Sequence, residues 1–580
     1  FGSSSREPGL SLPAAARGLS VRLNLSCHMR RASQLLLFSF AFGAQGYQHA
    51  TVHCKDTAHV GQWPRTFACA LNAQDPDAEA HHTDTLNETG WSKLYVRGIA
   101  KGTSLNDKLR VAFAAGYVEG AMTSNRTWQH WQNFLKFAYD NDTSPEYLKA
   151  KDFLVANDNF IRGELKKLSY STDEYWAEMA IIWAQLDGLV AGNAATCGTR
   201  CLDLNAFLFL QAEQDLDSIA APPAEWTLES AAEYTRLRSH CSAIIRVAPN
   251  NSDLYMGHNT WTGYYSMLRL LKEYNLPVGG SADRVVQSGY YGQLYSGDDF
   301  YALSSGLTVQ ETTNSLYKQS TRELIQPRCI LTWARTILAN RRAVDGPSWV
   351  KWFSPFNSGT INNQWMIAMM DRFKANHEIP DGFLTVLEQM PGTIVFKDVS
   401  QNLREQGYWV SYNSPFFKEI REVSGADDME KRFGDAYSYT RNPRAKIFQR
   451  DILHATDLEK VKYLLRYNNW LHDPLSAAGY RGPTEPRAPE NAIAARYDLH
   501  PWPKVRQAFG NTDAKICRAA DCLAMRFSAI SGPTADDQPP FAWEGEWESS
   551  PHIGHPLRWN YSWVDFAASD FVESASAVVI

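Results

Sequence analysis

The sequence predicts an α+β protein with a helical N-terminal part and with most of its strands after Cys241. Two observations carry this expectation. Apolar residues recur at helical spacing from Asn106 to about Ala220, and from Cys241 onward short runs of strand-forming residues, separated by turns, take their place.

In the first part, Ser171 and Glu174 have capping-box spacing, and Trp176, Met179, Ala180 and Trp183 follow on one helix face, which reads as core. Lys108–Met122, Thr127–Tyr139, Pro145–Leu168 and Leu204–Ile219 read as further helices. Ala221-Pro222-Pro223-Ala224 breaks the pattern, and the polar stretch ending at Ser239-His240 reads as an exposed connector. Cys241 then opens a hairpin: a strand to Val247, a turn at Pro249–Asp253, and a second strand from Leu254 to Thr260. A helix-like Tyr264–Tyr274 follows, then strand candidates at Leu303–Glu311, Gln364–Met370, Phe383–Gln389, Thr393–Phe396 and Tyr408–Tyr412. The pattern alone leaves an open sheet and a sandwich equally available.

With 580 residues, 44% of them hydrophobic and 21% charged, the chain has the means to bury a large core. Its 19 tryptophans show no repeat period and read first as core. A net charge of −6 supplies no basic field, so no nucleic-acid partner is expected.

Met29-Arg30-Arg31, the apolar run Leu35–Phe42 and the small residues to Gly46 have the three parts of a secretory signal, so residues 29–46 are expected to be removed. Residues 1–28 resemble neither signal nor domain and are expected to lie outside the mature protein. No stretch approaches the ~20 apolar residues of a membrane span. Sequons at Asn87, Asn125, Asn141, Asn250 and Asn560 agree with secretion. So do the close pairs Cys197 with Cys201 and Cys517 with Cys522, which have disulfide spacing and no histidines at zinc-ligand spacing. Cys27, Cys54, Cys69, Cys241 and Cys329 remain, an odd number.

A thiol becomes a nucleophile when a base takes its proton and donors meet the oxyanion it creates. Scission before Cys241 would free an α-amino group beside the sulfur, and the hairpin would bring His258 and Asn259 back toward it. Read from the residues alone, Cys241 is equally a common buried cysteine. No G-x-S-x-G, H-E-x-x-H or Walker-type loop is present, and the adjacent Asp298-Asp299 reads as a turn.

Cys241-Ser-Ala-Ile-Ile-Arg, His258-Asn-Thr-Trp, Ser296-Gly-Asp-Asp-Phe-Tyr, Glu311-Thr-Thr, Phe356-Asn-Ser-Gly-Thr-Ile-Asn-Asn-Gln-Trp, Tyr408-Trp-Val-Ser-Tyr-Asn, Asn442-Pro-Arg-Ala-Lys and His472-Asp-Pro-Leu-Ser, in this order across most of residues 90–560, resemble the phospholipase B-like family. The resemblance implies an N-terminal-nucleophile hydrolase: a four-layer αββα sandwich cut between His240 and Cys241 into two chains, 47–240 and 241–580, that stay associated. It implies Cys241 as nucleophile, with His258, Thr313 and Asn413 catalytic, Asn413 at the oxyanion, Asn259 and Trp261 lining the pocket, and Arg444 facing an anion. It further implies a phospholipid or other acylated small molecule as substrate, no metal or cofactor, and a lysosomal or extracellular location. An N-acyl amidase of the same mechanism, and a self-cleaved glycoprotein that binds without turnover, are the alternatives.

Overall fold

The computed structural model describes residues 47–58, 65–170, 173–219, 226–236, 241–477 and 487–567. The expected signal (29–46), residues 1–28, the cap Ser171 and the residue before the expected cut, His240, lie outside them.

The protein is mixed α+β, with 16 α-helices among the described residues and two large sheets. The smaller sheet has six strands in the order Tyr408–Ser411, Ser242–Val247, Leu254–Gly263, Phe509–Arg518, Phe527–Ser531 and Val564–Phe566, all antiparallel. The larger has eleven. Seven of these strands come from residues after Cys241, running from Thr393–Asp398 at one edge to Arg269–Asn275, and four come from before it: Ser92–Gly98, Ala78–Thr83, Tyr47–Asp56 and Phe67–Leu71. The two groups meet where Ser92–Gly98 pairs in parallel with Arg269–Asn275.

Alternation along the strands divides the core. Ala243, Ile245 and Met256 of the smaller sheet share one cluster with Val286, Phe300, Met366 and Val386 of the larger, so these faces pack together. Ile244 and Ile516, on the other side of the smaller sheet, meet Ile447, Phe448 and Leu464 from the helices Pro443–Asp451 and Leu458–Arg466. Val309, Trp365 and Ile367 of the larger sheet meet Trp349 and Phe353 of the helix Gly346–Phe353.

The helical N-terminal part is present with three changes. The two expected helices spanning 108–139 are one, Leu105–Tyr139, capped by Ser104 and Asp107. No Gly or Pro interrupts residues 121–139, and Thr123 Oγ1 bonds back to Glu119 O at 2.8 Å, so the chain stays helical. The helix Glu174–Thr196 is capped by Asp173, which accepts from the backbone of Tyr175 and Trp176. Residues 204–219 form two helices, Leu204–Gln211 and Leu216–Ile219.

The helices Leu105–Tyr139 and Glu174–Thr196 cross in near backbone contact. A β-carbon on Gly116 would lie 1.9 Å from Gln185 O, and one on Gly188 2.0 Å from Phe113 O. Only glycine fits at such a crossing.

After the hairpin the expectation of a helix over Tyr264–Tyr274 fails: a single turn, Tyr264–Ser266, leads into the strand Arg269–Asn275. That strand has a neighbour on each side and is buried on both faces, so its sequence carries no period of two. The expected strand Leu303–Glu311 is two strands, Phe300–Leu303 and Leu307–Thr313, which pair around a turn at Gly306 (φ +86°).

Candidate active site

The site grows out of the hairpin. Ser242–Val247 and Leu254–Gly263 pair with Ser242 opposite Asn259 and Ala243 opposite His258, which returns the histidine to the start of the first strand. Cys241 is buried, and its φ of +27° lies in the left-handed region, a strained conformation for a residue with a β-carbon.

The Cys241 thiol, the His258 imidazole and the Glu311 carboxylate each offer a polar atom within 4.8 Å of the other two. Burial, with the Glu311 carboxylate next, pushes the thiol well above its usual range. Burial, with Lys515 next, holds His258 well below its own, so the imidazole is neutral. Burial likewise raises Glu311, reinforced by Asp299.

Behind this trio lies a buried charge cluster. Lys515 Nζ sits 2.7 Å from Asp513 and 3.5 Å from Asp298, and Arg269 is 2.6 Å from Asp513 and also pairs with Asp298. Burial works to raise Asp298, but Arg269 and Lys515 outweigh it and keep the carboxyl below the usual range. Asp299, next in the chain, accepts from Tyr301 Oη at 2.9 Å, and burial raises it. Asp298-Asp299 does lie in a turn before Phe300–Leu303, as the sequence suggests, but its two side chains are buried and do different electrostatic jobs.

Arg444 ties the other expected residues to Cys241. It stands in the first turn of Pro443–Asp451, whose cap Asn442 and leading Pro443 fix the helix start. Nη1 donates to Cys241 O at 2.7 Å and Ser242 Oγ at 3.2 Å, Nη2 donates to Asn413 Oδ1 at 2.6 Å, and the guanidinium lies 4.3 Å over the Trp261 ring. Asn413 Nδ2 donates to Thr313 O at 2.6 Å, and Thr313 Oγ1 is 3.5 Å from Glu311 Oε2. Asn259 is a structural tie: its Oδ1 accepts from Ser242 N at 2.9 Å and its Nδ2 donates to Leu465 O and Ile493 O.

The structure thus brings Cys241, His258, Thr313, Asn413, Trp261 and Arg444 together. Glu311, Lys515 and Asp298 are the members that sequence reasoning passed over. One signal existed for Glu311: residues i and i+2 share a strand face, so Thr313 at the site implies Glu311 beside it.

A cavity of about 90 Å³ opens on Asn413 and Arg444, with Tyr317, Tyr412, Ser315 and Thr235 also on its walls. A second, of about 60 Å³, touches Thr313 and shares Thr235 and Ser315. Asn259 and Trp261 line neither. Thr235 belongs to the helix Leu228–Arg236, which stands where the sequence reads as an exposed connector; buried Ala231, and Trp226 Nε1 donating to Tyr317 O at 2.6 Å, anchor this segment.

Three disulfides are formed, Cys197–Cys201, Cys517–Cys522 and Cys54–Cys69; among the described residues Cys241 and Cys329 are free. The five sequon asparagines after the expected signal, Asn87, Asn125, Asn141, Asn250 and Asn560, are exposed. Among the described residues no helix is long and apolar enough to cross a membrane.

Fold and site together describe an α+β protein with a buried cysteine at the head of a central hairpin strand. The family model described as Phospholipase B matches residues 78–566. Putative phospholipase B-like 2 of Rattus norvegicus is 37% identical over 84% of this chain and 86% of its own length. Phospholipase B-like protein B of Dictyostelium discoideum is 35% identical over 84% and 85%, and protein A of the same organism 32% over 92% and 96%. The chain belongs to the phospholipase B-like family.

Proposed function

We propose that this protein is a self-processed cysteine hydrolase of the N-terminal-nucleophile type, with its two packed sheets and outer helices forming a four-layer αββα sandwich, and that it releases acyl groups from glycerophospholipids. The observation that carries the reading is the environment of Cys241: a strained backbone, polar atoms of His258 and Glu311 within 4.8 Å of the thiol, and a guanidinium on its carbonyl.

In the uncut chain the thiol attacks the carbonyl carbon of His240, its proton passing by way of the neighbouring His258 to the departing nitrogen. The C–N bond breaks, the Cys241 nitrogen takes the proton, and residue 240 is left as a thioester on sulfur. Water then hydrolyses the thioester, freeing the thiol and an α-amino group whose usual pKa, near 8, suits it to act as base. Release of the strain at Cys241 favours the cut, since such conformations cost about 1–3 kcal/mol.

In the mature enzyme the thiolate attacks a substrate acyl carbonyl, with Asn413 stabilising the oxyanion and Thr313 helping to position it. The acyl-enzyme is hydrolysed to release the fatty acid. Arg444 supports Asn413 through their 2.6 Å bond. The cavity of about 90 Å³ beside this site is far smaller than the ~300–1,000 Å³ of small-molecule pockets. We take the helix Leu228–Arg236, whose Thr235 stands on the cavity wall, as a plug that must be removed or displaced. The fragments 47–240 and 241–580 stay associated because they share a sheet. Three disulfides and five exposed sequons favour passage through the secretory pathway to a lysosomal or extracellular destination.

Mass spectrometry with N-terminal sequencing, before and after incubation at acidic pH, tests the nucleophile. A new chain beginning at Cys241 in the wild type and absent from Cys241→Ala is expected; an intact chain, or a break elsewhere in both, refutes self-processing. Fatty-acid release by the processed protein from phospholipids and from N-acyl amides then separates ester from amide hydrolysis, and release from neither leaves only the binding role.

A further inference from the structure

A second constellation lies on the N-terminal strands of the larger sheet. Tyr47–Asp56 and Ala78–Thr83 pair with His49 directly opposite His81, and Thr51 opposite Glu79. Directly paired residues share a face, as do residues i and i+2, so His49, Glu79 and His81 stand together. Ala78 and Ala80, on the other face, are buried in the core, which leaves the three polar side chains toward solvent. The imidazoles of His49 and His81 stack with centroids 4.3 Å apart, and His49 Nε2 is 3.8 Å from Glu79 Oε2.

We propose that His49, Glu79 and His81 form a Zn²⁺ site that clips these two strands together. One donor atom from each residue already lies within 4.8 Å of the others. Tetrahedral zinc with bonds of about 2.0–2.2 Å needs donors about 3.3–3.6 Å apart, so the donors have to close by at most about 1.5 Å. Two imidazoles and one carboxylate suit zinc and exclude Mg²⁺ and Ca²⁺, which take all-oxygen sets.

The groups around the trio hold the donors in place. Tyr47 Oη lies 2.6 Å from His81 Nδ1; with the Nδ1 proton given to that oxygen, Nε2 carries the lone pair for the metal. Arg97 occupies Glu79 Oε1 at 3.2 Å and leaves Oε2 toward His49. The exposure of His49 leaves the fourth position to water. This site is independent of the reading of Cys241. It escapes sequence analysis because its ligands come from two strands and follow no short spacing.

The test is a Zn²⁺ titration of the full-length, chelator-stripped protein against a chromophoric competitor, run in parallel on Cys241→Ala so that metal taken by the thiol is not counted. His49→Ala, at an exposed position, and His81→Ala follow in the Cys241→Ala background. One equivalent bound by Cys241→Ala is expected, with affinity falling in each histidine variant by at least the ~10- to 100-fold that loss of an outer-shell partner costs. No uptake by Cys241→Ala, or uptake unchanged in both histidine variants, overturns the site.

Discussion

Arg444 donates to the carbonyl oxygen of Cys241 at 2.7 Å, so the residue that would carry the nucleophile is held by a charge on a different element. The same guanidinium stacks on Trp261 and bonds Asn413. A lysine cannot reproduce a fork that does all three. Hydrogen bonds to charged groups contribute about 1.5–3 kcal/mol. Arg444→Lys is therefore expected to slow appearance of the Cys241 fragment by roughly 10- to 100-fold, read by densitometry over time while the far-UV spectrum stays unchanged.

Asp215 supplies a pH dependence of known sign. It is buried, accepts from Thr360 Oγ1 and from Thr332 N at 3.3 Å, and burial pushes its pKa up to about 6 from 3.8. A raised carboxyl means that the folded state holds its proton more tightly. Its stabilisation is complete below about pH 4 and is lost as pH rises through about 6, a change of about 3 kcal/mol. Asp215→Asn cannot titrate. Denaturation midpoints at pH 4, 5 and 6.5 should show the wild type losing stability relative to this variant as pH rises; a gap that is flat or widens the other way rules out the assignment.

The helix crossing gives a third expectation. Gly188→Ala drives a methyl group into Phe113 O, a backbone atom that cannot step aside, and should cost at least about 1–3 kcal/mol. Gly163, in the helix Pro145–Lys166, has open space where a β-carbon would go, with nothing within 4 Å, so Gly163→Ala should instead stabilise by up to about 1 kcal/mol. Thermal melts of the two variants should move in opposite directions.

Cys54 and Cys69 face each other in the register of adjacent strands and close a separation of 15 residues. Replacing both by serine should lower stability by about 3 kcal/mol, the chain-entropy value for a loop of that length. Chemical denaturation of the double variant without reductant measures it.

The sequence discloses what is local. Cys241 and His258 sit on strands joined by a short turn, so their meeting follows from the hairpin pattern, and the disulfides Cys197–Cys201 and Cys517–Cys522 span four and five residues. Arg269, Asp298, Asp513 and Lys515 come from separate segments, and nothing in their spacing shows that their charges cancel in one buried cluster. Glu311 stands inside a recognised motif, but its role depends on a thiol 70 residues earlier in the chain. The strands between Tyr47 and Gly98 carry histidines, cysteines and charges, which blur any period of two. Strand Arg269–Asn275 is obscured for a different reason, being buried on both faces.

The parallel ladder between Ser92–Gly98 and Arg269–Asn275 has a consequence for how the molecule is tied together. None of its hydrogen bonds runs through the peptide links at 237–241, so a nick there leaves every rung of the sheet in place. In topological terms the residues before and after Cys241 are two partners in one sheet. Separately produced halves offered to one another during refolding therefore have the same eleven-stranded scaffold to rebuild, without a covalent link between them.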